Sequence, residues 1–353
     1  MLRWLIARLG RAAAAAWLIA SLVFIASRLL PGSPEQQALA EAGDLSRPAA
    51  GVLSAANQAQ NRLALRRRLG LELPLFYVTR SPGPPGRWQW HGTANQYHAW
   101  VVALLHGDWG HSYRDGQPVL ALLRQALVYS LPLAGAAAGL AVGLALALAL
   151  YLAQEPGGLL RQVVFTLLSA LQVMPLFLLA LGLLLLLANP DFINILPAAG
   201  QGPADATRWQ LAGYWAARAA LPLLSLVLAV LPELTLPLVA LLRYETRAGY
   251  ATTARAKGLT AMQILRRHAL PNAVLPLLTT LADLLPTLAA GVVVVEVLFA
   301  LPGNGRLLAE AAAAHDYPLV VGGVLLTAGA RLLGLVLADV LYFLLDPRLR
   351  PAA

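Results

Sequence analysis

The chain has 353 residues, of which 59% are apolar and only 12% are Asp, Glu, Lys or Arg. Soluble domains carry roughly 25% charged residues, so this composition excludes an ordinary soluble globular chain, and its hydrophobicity excludes intrinsic disorder. The formal charge is +9, from 26 basic and 17 acidic residues, with Lys257 the only lysine and no cysteine anywhere; that removes disulfides, thiolate metal sites and cysteine nucleophiles, and with no aromatic-basic binding module the arginine excess points to membrane orientation rather than nucleic acid.

Uncharged runs mark the elements in chain order. Sixteen uncharged residues lie between Arg11 and Arg28, thirty between Arg124 and Glu155, and twenty-nine between Arg161 and Asp191. A helix needs about 20 apolar residues to cross the hydrocarbon, and lipid offers no water to open backbone groups, so helices are the expected spans. Ala219–Leu242 holds one charge, Glu233; Ala269–Phe299 holds Asp283 and Glu296; Pro318–Leu345 holds Arg331 and Asp339. The expectation is an all-α polytopic membrane protein with six transmembrane helices. The first run, with Arg3, Arg8 and Arg11 ahead of an Ala-rich stretch, has signal-peptide length, but no clean A-x-A site follows it, which favours an uncleaved first helix. The expected organisation is a first helix over 1–30, a loop region over 31–124, a five-helix core over 125–345 and a tail over 346–353.

Charge sets the orientation. Met1–Arg11 carries three Arg and no acid, Arg243–His268 carries six basic residues against Glu245, and Arg348 and Arg350 stand near the C-terminus. Six spans place all three segments on one side, and the positive-inside rule makes it the cytoplasm. The long loop translocates regardless of its charge. Its first part, 34–69, is helix-compatible; Pro82–Gly86 then breaks regular structure. Trp88, Trp90, Tyr97, Trp100 and Trp109 follow, to be read as an interfacial aromatic belt or as a contact surface for an outside partner.

Catalytic signatures are missing. There is no G-x-x-x-x-G-K-[ST] phosphate loop, no H-E-x-x-H and no G-x-S-x-G. His106, Asp108 and His111 are close in sequence but lack metal-ligand spacing and a fourth ligand, so they read as solvated loop groups. Ionisable residues inside spans are costly and face a bundle interior or an aqueous path: Glu233, Asp283, Glu296, Arg331 and Asp339 are the candidate pathway residues, with interhelical pairing, for example of Arg331 with Asp283 or Asp339, as the alternative. Glu296 lies near the end of its span and is expected to reach water. Gly135, Gly139 and Gly143 form two G-x-x-x-G steps suited to a close helix interface. Pro132, Pro175, Pro222, Pro232, Pro237, Pro276 and Pro286 imply kinks.

The segment from Tyr250 to Pro271 reads as a short helix (251–257), a break at Gly258, a second helix (260–268) and Pro271 near the start of the fifth span. It resembles the "EAA" coupling loop of ATP-binding-cassette (ABC) importer permeases, in which E-A-A is followed after three residues by Gly and after nine more by I-x-L-P. Thr252, Thr253 and Ala254 stand at E-A-A, Gly258 at the Gly, and Leu270-Pro271 complete the pattern, with His268 in place of Ile. The form Thr253-Ala254-Arg255-Ala256-Lys257-Gly258-Leu259 is similar to the dipeptide/oligopeptide/nickel branch. So are Leu30–Pro34, Leu69–Leu71, Gly107-Asp108-Trp109-Gly110, Glu296–Phe299 with Pro302–Gly305, Asp316–Pro318 and Asp346–Arg350. The stretch Arg243–Tyr250 is shorter than usual for the branch, and 80–99 is an insertion.

The resemblance implies a type I importer permease fold: half of a translocation pathway, paired with a second permease as homodimer or heterodimer, two cytosolic ATPases docked on residues 252–259 with Leu270 and Pro271, and an extracytoplasmic solute-binding protein. It implies no cofactor in this chain, ATP and Mg being held by the ATPases, with Arg255 and Lys257 facing acidic groups there. A proton-coupled secondary transporter using Glu233, Asp283 and Asp339 is the alternative, although no internal repeat supports it.

Overall fold

The computed structural model describes residues 2–29, 72–80, 86–154, 158–193, 195–196 and 207–345. The helix-compatible stretch 34–69, the Pro-Gly run at 82–85, the motifs at 30–34 and 69–71 and the C-terminal motif at 346–350 lie outside these residues, as does the side chain of Asp339. In chain order the elements are α1 (Leu2–Leu29), β1 (Val78–Arg80), β2 (Trp88–Trp90), α2 (Gln96–Leu105), α3 (Val119–Leu152), α4 (Leu159–Val173), α5 (Leu176–Leu187), α6 (Arg208–Glu245), α7 (Gly249–Ala256), α8 (Ala261–Ile264), a π-turn (Leu265–Ala269), α9 (Leu270–Leu298), α10 (Asn304–Ala313) and α11 (Tyr317–Leu345). The fold is mainly helical, but the all-α expectation needs one correction. β1 and β2 pair antiparallel, Val78 opposite Trp90 and Arg80 opposite Trp88, because β-branched and aromatic residues favour the pleated ribbon.

Among the described residues four helices are long and apolar enough to cross a membrane: α1, α3, α6 and α11; α4 with α5 makes a fifth if that bent pair counts as one span. The expected fifth span coincides with α9, a continuous helix of 29 residues that stands outside that count. The expected third span is bent by 115° between α4 and α5. The cause is local: Pro175 has no N–H to donate and forces Met174 out of the helical region, to φ −83°, ψ 120°.

The described chain forms two compact units. One contains Met1–Ala12, Ala126–Arg306 and Gly329–Ala353. Its centre is α6, which packs against α4, α5 and α9. On α3 the buried stripe is Ala137, Ala141, Ala145 and Ala149, a four-residue spacing that follows one helix face. Gly135, Gly139 and Gly143 are exposed, and a Cβ on any of them would meet no atom within 4 Å. The close approach expected of these glycines is therefore made by the alanines within this chain, and the glycine face is left open.

The other unit contains Ala13–Gln125 and Leu307–Ala328. Tyr97 and Trp100 of α2 pack on Phe24 of α1, Trp100 also meets Trp17, and the Ser21 and Tyr97 hydroxyls lie 2.8 Å apart. Trp109 packs against Val119, Leu123, Ala311 and Leu319. Trp88 and Trp90 remain 72% and 73% exposed on the ribbon. The five aromatics of this loop thus divide: three are packing residues, and only the two on β2 present a surface.

Candidate functional site

The segment from Tyr250 to Pro271 is built by its own local rules. Ala251 and Ala254 on one face of α7 are buried with Ile264 of α8, and Leu259 packs on them. Thr252, Thr253, Arg255, Ala256, Lys257 and Gly258 are exposed. Small buried residues bring the two short helices together, and the other face becomes a continuous outward surface. Between the helices Gly258 adopts φ +84°, a left-handed conformation that costs any residue with a Cβ about 1–2 kcal/mol. Thr260 then starts α8 with a capping box, its side chain accepting from the Gln263 N–H while the Gln263 side chain accepts from the Thr260 N–H.

The second expected helix (260–268) is instead α8 followed by the π-turn, in which the Leu270 N–H reaches the Leu265 carbonyl. Pro271, at the start of α9, has no N–H, and its ring excludes an α-helical carbonyl four residues earlier. Widening by one residue carries the chain into α9 without a break. Leu270 is half-buried and Pro271 exposed. Behind this surface Tyr250 donates to Glu245, and the Asn272 amide donates to the same carboxylate at 3.3 Å. Burial and then the Glu245 hydrogen bond hold the Tyr250 hydroxyl above its ordinary pKa of 10.0. Neither Tyr250 nor Asn272 carried a sequence signal for this contact, which depends on α6 and α9 meeting. Arg255 donates to the Thr246 carbonyl at 2.8 Å, so part of its hydrogen-bonding capacity is turned back towards α6; Lys257 is exposed.

The intramembrane charges separate into two kinds. Glu233, Asp283 and Arg331 are exposed on the surface of the single chain, and no ion pair joins Arg331 to Asp283 among the described residues. Glu296 is the opposite: it is 0% exposed, so the expectation that it reaches water is corrected. Its carboxylate accepts from Ser130 Oγ at 2.6 Å and from the Gly305 N–H at 2.6 Å, and Ser130 Oγ accepts from the Asn304 N–H at 2.8 Å. The carboxyl group sits at the start of α10, where free N–H groups and the positive end of the helix dipole face it. A side chain at Gly303 would overlap the carboxylate, and a Cβ at Gly305 would run into Val293 of α9. That explains both glycines of the P-G-x-G motif. Arg218 and Arg306 both donate to the Ala300 carbonyl in the same turn, at 3.1 and 2.7 Å. Nothing in the sequence marked Ser130 as a partner, because it lies on another helix.

In the other unit Asp316 is 2% exposed and accepts from Ser112 Oγ at 2.5 Å and the Tyr113 N–H at 3.0 Å. It ties the loop after α2 to the start of α11. Asp108 accepts from the Gly110 N–H, and His106 Nδ1 lies 2.8 Å from the Val102 carbonyl. These two side chains are thus occupied in local turns.

Several helices long and apolar enough to cross a membrane, with a basic two-helix segment between α6 and α9, define a polytopic membrane protein. The sequence comparisons specify which class. Residues 139–351 match the family described as "binding-protein-dependent transport system inner membrane component". The chain is 29% identical over 374 residues to the dipeptide transport system permease protein DppB of Escherichia coli K12, covering 99% of each chain. It is 30% identical to the probable D,D-dipeptide transport system permease protein DdpB of the same strain, covering 93% of this chain and 92% of that one. It is 26% identical to the DppB of Lactococcus lactis, covering 99% and 100%. The chain belongs to this inner-membrane permease family and is a membrane-spanning permease subunit of an ABC importer, in which ATP hydrolysis is carried out by separate subunits.

Proposed function

We propose that this permease forms half of a pathway for dipeptides or related small peptides, and that Thr252, Thr253, Ala254, Arg255, Ala256, Lys257, Gly258 and Leu259, with Leu270 and Pro271 at the root, form the contact with a cytosolic ATPase. The observation that carries the reading is the two-faced α7. Ala251 and Ala254 are buried against Ile264, while the residues between and after them form an exposed basic surface ended by a glycine turn. A projection held rigidly from behind can transmit a push, as rigid-body switching requires.

The peptide assignment follows the printed names of the relatives. The partners are a second permease, identical or different, two ATPases that hold ATP and Mg, and an extracytoplasmic binding protein; this chain holds no cofactor. Both termini and the coupling segment are cytoplasmic, as the clustering of Arg predicts. Glu233, Asp283, Arg331 and Asp339 belong to the pathway or to the face covered by the second permease. Exposed charges on apolar helices need an aqueous or protein neighbour, and the exposure of the first three in the single chain supports that placement. Glu296 is set apart as a packing carboxylate.

The test is reconstitution in vesicles with the ATPases and binding protein from the same membrane. Labelled dipeptide should accumulate only with ATP. Accumulation driven by a pH gradient with no ATPase present would overturn the proposal.

A further inference from the structure

The helix ends beside the coupling segment border a partly open cavity of about 240 Å³. Three arginines line it, Arg243, Arg247 and Arg255, together with Gln154 and Thr246, and no Asp or Glu does. Two of the guanidiniums have a fixed place. Arg243 donates to the carbonyl of Leu152, the last residue of α3, at 2.9 Å, and Arg255 to the carbonyl of Thr246, the residue that caps the C-terminus of α6. Each offsets the negative end of a helix dipole and still has N–H donors to spare, since a guanidinium carries five. The guanidinium of Arg247 has no partner among the described residues. Gln154 is held at both ends, by Arg161 on its oxygen at 3.2 Å and by the Leu150 carbonyl on its nitrogen at 3.3 Å. Helix capping accounts for Arg243 and Arg255. It does not account for a third arginine, or for a cavity with three cations and no anion.

Size and place identify the missing anion. Sites for drug-sized ligands run to roughly 300–1,000 Å³, so this cavity suits a single phosphate-bearing group rather than a nucleotide or a peptide. Guanidinium forks match phosphate oxygens in pairs. α3 and α6 are both long and apolar enough to span a membrane, so the cavity at their C-terminal ends lies where the hydrocarbon gives way to headgroups. Basic pockets between helix ends at that level bind anionic headgroups. We propose that this cavity is a phosphate site for an anionic phospholipid, with Arg247 the residue that recognises it and Arg243 and Arg255 completing the cradle. Because Arg255 is on α7 and Arg243 on α6, a bound phosphate pins the coupling segment to the bundle. The site depends on the membrane-spanning character of the chain and not on which ATPase or solute it serves.

Native mass spectrometry of the full-length permease, released from vesicles of phosphatidylcholine and phosphatidylglycerol, tests this. Arg247→Gln removes the arginine without breaking a described bond; Arg266→Gln removes an exposed arginine from the same surface that does not line the cavity. The wild-type and Arg266→Gln chains should retain a phosphatidylglycerol that Arg247→Gln holds about tenfold more weakly, the loss of one charge-assisted hydrogen bond. Unfolding temperatures of all three chains in phosphatidylcholine alone, with inorganic phosphate or with chloride at matched ionic strength, form the second arm. Stabilisation by phosphate that Arg247→Gln alone abolishes, without lipid retention, would support the same chemistry with free phosphate as its source. Equal retention by all three chains, or equal loss in both variants, would overturn the site.

Discussion

Gly258 gives the sharpest test of the coupling surface, because the structure separates its two possible roles. At φ +84° it turns the chain between α7 and α8, and a Cβ there would meet nothing within 4 Å. Inside this chain, then, Gly258→Ala costs backbone strain alone, about 1–2 kcal/mol, a factor of 5–30 in the population of the native turn. Gly258→Asn pays less strain, because Asn tolerates the left-handed region, but it adds a longer side chain to the exposed face. Gly258→Glu adds bulk and a negative charge. If the turn alone matters, transport should fall more in the Ala variant than in the Asn variant. If an ATPase seats against this face, the order reverses: Ala retains most uptake, Asn less, and Glu abolishes it. The assays are ATP-dependent uptake and substrate-stimulated ATP hydrolysis by the reconstituted complex, with thermal unfolding of the permease alone as the folding control. We expect the second order, with unfolding temperatures close to wild type. A Gly258→Glu complex that assembles and transports at the wild-type rate would refute the contact.

Glu296→Gln should lower stability by about 1–3 kcal/mol, because its amide N–H would face the Gly305 N–H and leave a buried donor unpaired; thermal unfolding in detergent measures it. Gly303→Ala should destabilise wild type strongly and a Glu296→Ala background much less, since the methyl group then has room; additive losses in this double-mutant cycle would contradict the overlap. Asp316→Asn keeps one acceptor and loses the other, so limited proteolysis within residues 106–118 should speed up, and an unchanged cleavage rate would count against the tie. Tyr250 holds its proton above pH 10.0, so it adds stability below pH 10.0 that is lost as the pH rises through its folded pKa. Glu245→Gln should bring that loss to lower pH, read as phenolate absorbance against a Tyr250→Phe control.

Composition alone determined that this is a helical membrane chain, because a run of twenty-odd uncharged residues has few other stable fates in water or lipid. Local chemistry determined the segment from Tyr250 to Pro271: Gly258, Thr260 and Pro271 act on their own backbone, and the break expected at Gly258 stands, while the Thr260 cap and the π-turn are local features that the sequence reading did not name. The bend at Met174–Pro175 was implied by the proline, but its 115° angle was not. What lay beyond the sequence is whatever joins residues far apart in the chain. Ser130 and Glu296 are 166 positions apart and Ser112 and Asp316 are 204 apart, and only packed helices bring such pairs within reach of a hydrogen bond. The same holds for faces. Periodicity drew attention to the glycines of α3, yet the neighbouring helices cover the alanines. Position within apolar runs likewise grouped Glu296 with Glu233 and Asp283, and tertiary packing decided that Glu296 is buried and bonded while the others stay exposed. A residue type fixes what a group needs, such as a donor, a counter-charge or room, but which neighbour supplies it is set by packing between elements distant in sequence.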